Sequence, residues 1–196
     1  RQDTLVVFTS DNGGSTAENN DLKYPDDNCP NGRLTGNNKP RRAGKGAIYE
    51  GGTRVPTLVS WPSLMKPGRV DSPVQITDWM PTLCSLAGYE SNQDLKWDGR
   101  DISRLLTHHE SISDRPIYTV GPRWRSSSLR YGDWKLIAHH DGDGRRLELY
   151  NIAEDPSETS DVAELNPSKT EELTARLEEA ARSDRDSFEL EKKPVP

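Results

Sequence analysis

Residues 44–62 read GKGAIYEGGTRVPTLVSWP. Glycines flank Lys45, Glu50 precedes the pair Gly51 and Gly52, Arg54 follows, and Val55 to Trp61 runs on as a β-branched apolar stretch. Glycine lets a backbone approach a ligand closely, while Lys45 and Arg54 supply a point charge and a planar fork for an oxyanion. The order is not that of a phosphate loop, because Gly46 follows Lys45 where Ser or Thr is required. A solvated basic loop is the competing reading. Pro56 confines itself to the start of the strand.

Working outward, TLVVF at 4–8 is a second apolar run, and SDNGG at 10–14 follows it directly. Both runs suit short strands buried on two faces, as in a parallel sheet. Asp11 and Asn12 then sit where open α/β sheets place ligands, beyond the carboxyl end of a strand. Two readings stand: an ordinary turn, or two hard oxygen donors for Ca²⁺ or Mg²⁺ that need further ligands from elsewhere. The polar stretch from Gly14 to about Gly46 is a long loop of the kind that often carries function.

Beyond the second run, ITDWMPTLCSLAG predicts a short helix capped by Thr77 or Asp78, with Pro81 near its first turn and Gly88 ending it. Leu83, Leu86 and Ala87 would share its apolar face, and Cys84 would belong to the core. This order of strand, helix and strand indicates the α/β class. After about Ile112, IYTV, SSLRY, WKLIAHH and RLELYN are short strands separated by tight turns, which predicts an antiparallel meander. A last helix starts at NPSKTEEL, with Asn166 as cap, Glu171 and Glu172 favouring its start, Leu173 and Leu177 as its stripe, and Arg182 and Arg185 at its end. The domains are thus expected at 1–112 and 113–196.

Over 196 residues, 31% are hydrophobic and 30% charged, with net charge −6 and a pI near 5.3. That balance argues against general nucleic-acid binding but leaves room for a local basic pocket. No apolar run approaches the ~20 residues of a membrane span. The opening RQDT leads straight into a strand, so residue 1 is read as lying inside a longer protein, and the missing signal peptide says nothing about location. Cys29 and Cys84 allow at most one disulfide and lack zinc-site spacing.

Taken in order, SDNGG, GKGAIYEGGTRVPTLVSWP, ITDWMPTLCSLAG, LRYGDWKLI and ELYNIAEDPSETSDVA resemble the second half of the type I, formylglycine-dependent sulfatases, the arylsulfatase family. The resemblance implies the C-terminal part of an alkaline-phosphatase-like α/β core followed by a small antiparallel β-sheet subdomain with a C-terminal helix. It implies a sulfuric ester hydrolase in which Asp11 and Asn12 bind the divalent ion, usually Ca²⁺, and Lys45 contacts the substrate sulfate as a catalytic residue. Glu50, Gly51 and Gly52 would hold the loop, and Arg54 and His139 are further candidates for substrate contact. A sulfate ester, including a sulfated glycan, is the implied substrate. A periplasmic, extracellular or lysosomal-type compartment is the implied location.

The departures matter as much. The family's formylglycine arises from Cys or Ser in C/S-x-P-x-R, yet Cys29 stands in NCPNGR and Cys84 in CSLAG. The N-terminal Asp-Asp metal pair and the preceding histidines have no counterpart. The chain is therefore expected to be inactive alone and to need the N-terminal half of the same enzyme. Two other readings remain: a non-catalytic glycan-binding or scaffolding module, and a related phosphate or phosphonate ester hydrolase. Adjacent histidines at 108–109 and 139–140 point to opposite faces if on strands and make poor chelates. DGDG at 141–144 reads as a hairpin turn, and RWRSSSLR at 123–130 as a surface that could meet an acidic glycan.

Overall fold

The computed structural model describes residues 2–15, 17–19, 32–34, 36–90, 92, 94–141 and 144–183. Cys29 and the rest of 20–31 in the long polar stretch, the middle of DGDG and Arg185 lie outside them. The chain forms two compact units, Arg1–Phe8 with Thr57–Asp114 and Thr9–Pro56 with Arg115–Pro196. The long polar stretch therefore groups with the C-terminal meander and not with the strands on either side of it.

In the first unit, β1 (Val6–Thr9) pairs with β4 (Thr57–Ser60), so both apolar runs form strands. The expectation that they are buried on two faces is overturned: Phe8 is 68% and Leu58 69% exposed. Burial on both faces needs a layer on each side, and among the described residues this sheet has two strands and no such layers.

A 3₁₀ turn, Ile76–Asp78, leads into α2 (Trp79–Leu86), and Gly88 at φ +71° ends it as its N–H reaches Ser85 O at 3.0 Å. Asp78 caps the 3₁₀ turn rather than α2: its carboxylate accepts N–H groups from Gln75 and Arg100, each at 2.9 Å. Thr82 Oγ1 donates to Asp78 O at 2.6 Å and accepts the Ile102 N–H at 3.0 Å. These bonds turn Pro81 and Thr82 inward, so Leu83 and Ala87 of the expected apolar face are exposed. Cys84 is a half-buried free thiol, not a core residue. Ile102 and Leu105 are buried at the start of α3 (Ser103–His108), a helix the sequence reading lacks.

In the second unit the strands β5 (Ile117–Val120), β6 (Ser126–Tyr131), β7 (Trp134–Asp141) and β8 (Gly144–Asn151) form the antiparallel meander in that spatial order. Its register sets Leu136 opposite both Leu129 and Leu149. On that face α4 (Pro167–Ser183) lays Leu173 and Leu177 against Leu129, Leu136, Ala138 and Leu149, all buried. No acid occupies the first turn of α4; Glu172 lies later and pairs with Lys169 and Arg176. The opposite face is covered too: Ile137, Tyr150 and Ile152 cluster with Ile48 and Tyr49 of the glycine-rich segment. Within the polar stretch, β2 (Glu18–Asn19) pairs antiparallel with β3 (Gly32–Arg33), a pairing its composition does not announce.

Truncating Leu173 to Ala leaves a cavity under α4, so the second unit should lose about 2–5 kcal/mol of stability in urea titration. A loss under about 1 kcal/mol would show that α4 does not close this core.

Candidate functional site

The glycines decide how the DNGG turn meets the glycine-rich segment. Gly13 donates its N–H to Gly52 O at 2.9 Å, and a Cβ on Gly13 would stand 1.8 Å from Gly51 O. A Cβ on Gly51 would fall 2.2 Å from Arg42 O, and one on Gly52 2.1 Å from Ala47 O. Gly44 approaches Gly14 O in the same way, at 2.4 Å from its would-be Cβ, and Lys45 N–H reaches Gly14 O at 3.2 Å. The reading that these glycines admit a ligand is thus corrected: most of them admit neighbouring backbone. Gly46 differs, with φ +84° and open space around it. Asn38, unmarked by any sequence signal, pins the two stretches. Its Oδ1 accepts Gly14 N–H at 2.7 Å, and its Nδ2 donates to Gly14 O at 2.8 Å and Ala43 O at 3.1 Å.

A buried ionic cluster then fixes this assembly on the meander. Glu50 opens the single turn α1 (Glu50–Thr53), and its Oε1 lies 3.0 Å from Lys135 Nζ. Lys135 Nζ also lies 2.9 Å from Glu158 Oε1, while Glu158 Oε2 accepts the Glu50 N–H at 2.6 Å. Arg130 stands 3.5 Å and Arg54 3.7 Å from Glu50 Oε2. The Lys135 side chain is 3% exposed and that of Glu158 0%. Burial works against the Glu50 charge, but Lys135, Arg130 and Arg54 outweigh it and hold the carboxyl below its ordinary range. Burial pushes Glu158 upward, with Lys135 opposing. One cation shared by two buried carboxylates keeps the first ionised and leaves the second easier to protonate. Glu158 holds φ at 52°, a left-handed conformation uncommon outside glycine, and its carbonyl accepts Arg42 Nη1 at 3.0 Å.

A second polar network adjoins the first through Arg42. Its guanidinium stacks on the Tyr49 ring at 3.8 Å and donates to Tyr150 Oη at 3.0 Å. Both tyrosine hydroxyls donate to Glu148 Oε2, at 2.8 and 2.9 Å, and Arg146 bonds Glu148 Oε1. Against the effect of burial, these donors hold the Glu148 carboxyl at about 2. Burial and the adjacent Glu148 push the Tyr49 hydroxyl up to about 12. His139 belongs here, with Nε2 3.3 Å from Glu148 Oε1. His140 points elsewhere, its Nε2 3.3 Å from Ser127 Oγ, as adjacent strand positions require.

Lys45 lines a cavity of about 640 Å³ together with Lys39, Arg41, Ser15 and the Asn37–Asn38 turn. Asp11, Asn12, Arg54 and His139 are not among its described lining residues. Asp11 is exposed, and its Oδ1 accepts both the backbone N–H of Asn12, at 2.9 Å, and Nδ2 of Asn12, at 3.0 Å. A carboxylate and an amide oxygen fit a hard cation by donor type. They are two donors where six or more are needed, and no cluster of three ligating side chains occurs among the described residues. What they offer is part of a shell.

Residues 1–89 match the sulfatase family model. The chain is 38% identical over 136 residues to steryl-sulfatase of Mus musculus, covering 65% of this chain and 20% of that protein. It is 26% identical over 186 residues to arylsulfatase K of Xenopus laevis, covering 89% and 30%. Among solved structures, the protein Ps i-CgsB superposes with a TM-score of 0.73 at 31% identity, over 94% of this chain and 38% of that one. The same protein is known in complex with k-i-k-neocarrahexaose. The chain belongs to the sulfatase family. It spans 20–30% of the length of these two curated relatives, in their C-terminal part, and its fold is that of the corresponding part of a sulfatase.

Replacing Lys135 with Met strands two buried carboxylates and should cost about 3–5 kcal/mol. The double change Lys135→Met with Glu158→Gln should recover part of that loss in the same unfolding titration. Equal stability of wild type and Lys135→Met would remove the shared cation from its structural role. For Glu148, a folded value near 2 lies below its ordinary 4.5. Its stabilisation is therefore present above pH 4.5 and lost as pH falls towards 2. Glu148→Gln should flatten the fall of the thermal midpoint across that window, and an unaltered slope would contradict it.

Proposed function

We propose that this chain carries part of the active site of a sulfuric ester hydrolase, with Lys45 binding the sulfate group of the substrate. The observation that supports the reading is the fixed juxtaposition of the DNGG turn and the GKG segment, held by Asn38 and by the Gly13–Gly52 and Gly14–Lys45 backbone bonds. Lys45 brings a compact positive charge to the sulfate oxygens, on which negative charge must be stabilised as the ester S–O bond breaks. Asn38 and the Lys135 cluster hold the backbone that carries it, so this charge needs little reorganisation during reaction. In the longer protein, Asp11 and Asn12 would contribute two oxygens to a Ca²⁺ or Mg²⁺ shell. That ion would supply Lewis-acid stabilisation of the same oxygens.

The formylglycine nucleophile is assigned to sequence outside residues 1–196, because neither cysteine stands in C/S-x-P-x-R. The same missing part is proposed to cover the apolar strand faces around Phe8 and Leu58, which are exposed here. A sulfated oligosaccharide is the proposed substrate class, supported by the hexaose complex of the structural neighbour.

The test compares the 196-residue chain with the longer protein in release of p-nitrophenol from its sulfate. The chain alone should give none and the longer protein steady turnover. Lys45→Ala in the longer protein should lower kcat about 100-fold, or ~3 kcal/mol, with the thermal midpoint unmoved. Steady turnover by the chain alone, or faster cleavage of the phosphate ester than of the sulfate, would overturn the reading.

A further inference from the structure

We infer that Glu158 is a positioning residue for the proposed reaction: it clamps the neck of the loop that carries Lys45, with its carbonyl on one side and its carboxylate on the other. The inference rests on the proposed role of Lys45 and adds a residue that acts through it.

Residues 42–51 form a loop closed on itself, because Gly51 donates its N–H to Arg42 O at 2.9 Å. Surface loops whose ends meet in this way frequently carry function. Lys45 lies between the two ends, and Glu158 holds both of them. Its carbonyl accepts Arg42 Nη1 at 3.0 Å, and its Oε2 accepts the Glu50 N–H at 2.6 Å. One residue from a distant turn thus bonds the loop just where it begins and where it closes.

Two costs meet at Glu158. Its side chain is 0% exposed, and its φ of 52° is left-handed, a conformation in which a residue other than glycine is strained. Glycine would remove the strain, and an apolar side chain would remove the buried charge. The turn around it is fixed independently of the clamp. Glu158 N–H donates to Asp155 O at 3.1 Å, and the Asp155 carboxylate accepts the N–H groups of Thr159 at 2.7 Å and Ser160 at 2.9 Å. The strained conformation turns the carbonyl and the carboxylate of one residue towards the same loop, and strain kept at such a point indicates a working contact.

The clamp also refers the loop to the sheet. Lys135 Nζ lies 2.9 Å from Glu158 Oε1, so the carboxylate that holds the Glu50 N–H is itself held by β7. At the far side of the loop, Lys45 N–H bonds Gly14 O at 3.2 Å, next to the DNGG turn. Loosening the neck therefore shifts Lys45 against Asp11 and Asn12, the groups with which it would share the sulfate.

Glu158→Gly provides the test. Glycine suits the left-handed conformation, keeps the carbonyl for Arg42 and strands no carboxylate, since Lys135 stays paired with Glu50 at 3.0 Å. In the longer protein it should lower kcat/KM for p-nitrophenyl sulfate about tenfold, within the ~100-fold that a small misplacement can cost. In a Lys45→Ala background the same change should add less than about twofold, because its effect passes through Lys45. An equal loss in both backgrounds, or none in either, would overturn the inference and leave the sulfatase reading intact. Amide exchange gives a readout besides activity. The N–H groups of Lys45, Glu50 and Gly51 should exchange about tenfold faster in the variant, with those of Leu136 and Leu149 unchanged. Should Glu158→Gly not fold, Arg42→Met opens the other side of the neck and is carried through both measurements with the same expectation. If the longer protein hydrolyses no sulfate ester, the sulfatase reading falls and exchange decides. Faster exchange confined to the loop upholds the clamp, whereas unchanged exchange, or exchange raised equally across the meander, overturns it.

Discussion

One lysine carries two carboxylates in the interior of the second unit, and the candidate site depends on it. Lys135 points from the meander face opposite α4 and meets Glu50 at 3.0 Å and Glu158 at 2.9 Å. Each member alone would be an expensive buried charge; together they are neutral to within one charge, with Arg130 and Arg54 supplying the rest. Because Glu50 opens α1 and its own N–H is held by Glu158, this cluster fixes the backbone as well as the side chains. The glycine-rich segment is thereby bound to a sheet more than eighty residues later in sequence.

From that anchor the order passes outward through backbone contacts. Gly51 and Gly52 pack on the carbonyls of Arg42 and Ala47, Gly13 packs on Gly51, and Gly14 takes up Asn38 and Lys45. A side chain at several of these positions would strike a backbone oxygen at close to 2 Å, so the succession tolerates little else. The glycines serve the site by letting two strands of loop touch. Lys45 itself stays exposed at the end of this succession and lines a cavity whose described lining also includes Lys39 and Arg41.

The meander explains why its two faces differ so much. Leu129, Leu136 and Leu149 face α4 and form an ordinary apolar core. The other face mixes Ile137 and Ile152 with Lys135, Glu148 and Tyr150, whose polar atoms are paired across to Arg42, Tyr49 and Glu50. Apolar burial closes one side, and a network of ion pairs and hydrogen bonds specifies the partner on the other.

Local patterns were legible because they follow from short-range geometry. Two apolar runs gave strands, alternating residues with tight turns gave the meander, and Leu173 with Leu177 gave the buried stripe of α4. The motifs from SDNGG to EDPSETSDVA sufficed for the family, and they placed Lys45 and Glu50 in one loop. What the sequence could not provide were pairings over long separations. Nothing in the order of residues pairs Lys135 or Glu158 with Glu50; the fold brings both to it. Burial of β1 was misjudged for a related reason: apolar character favours burial, but only a layer in space provides it. By itself, then, the sequence determined the two apolar strands, the meander, α2 and α4, and the family. The tertiary structure alone decided which charges share an interior, because pairing depends on distance in space and not on order along the chain.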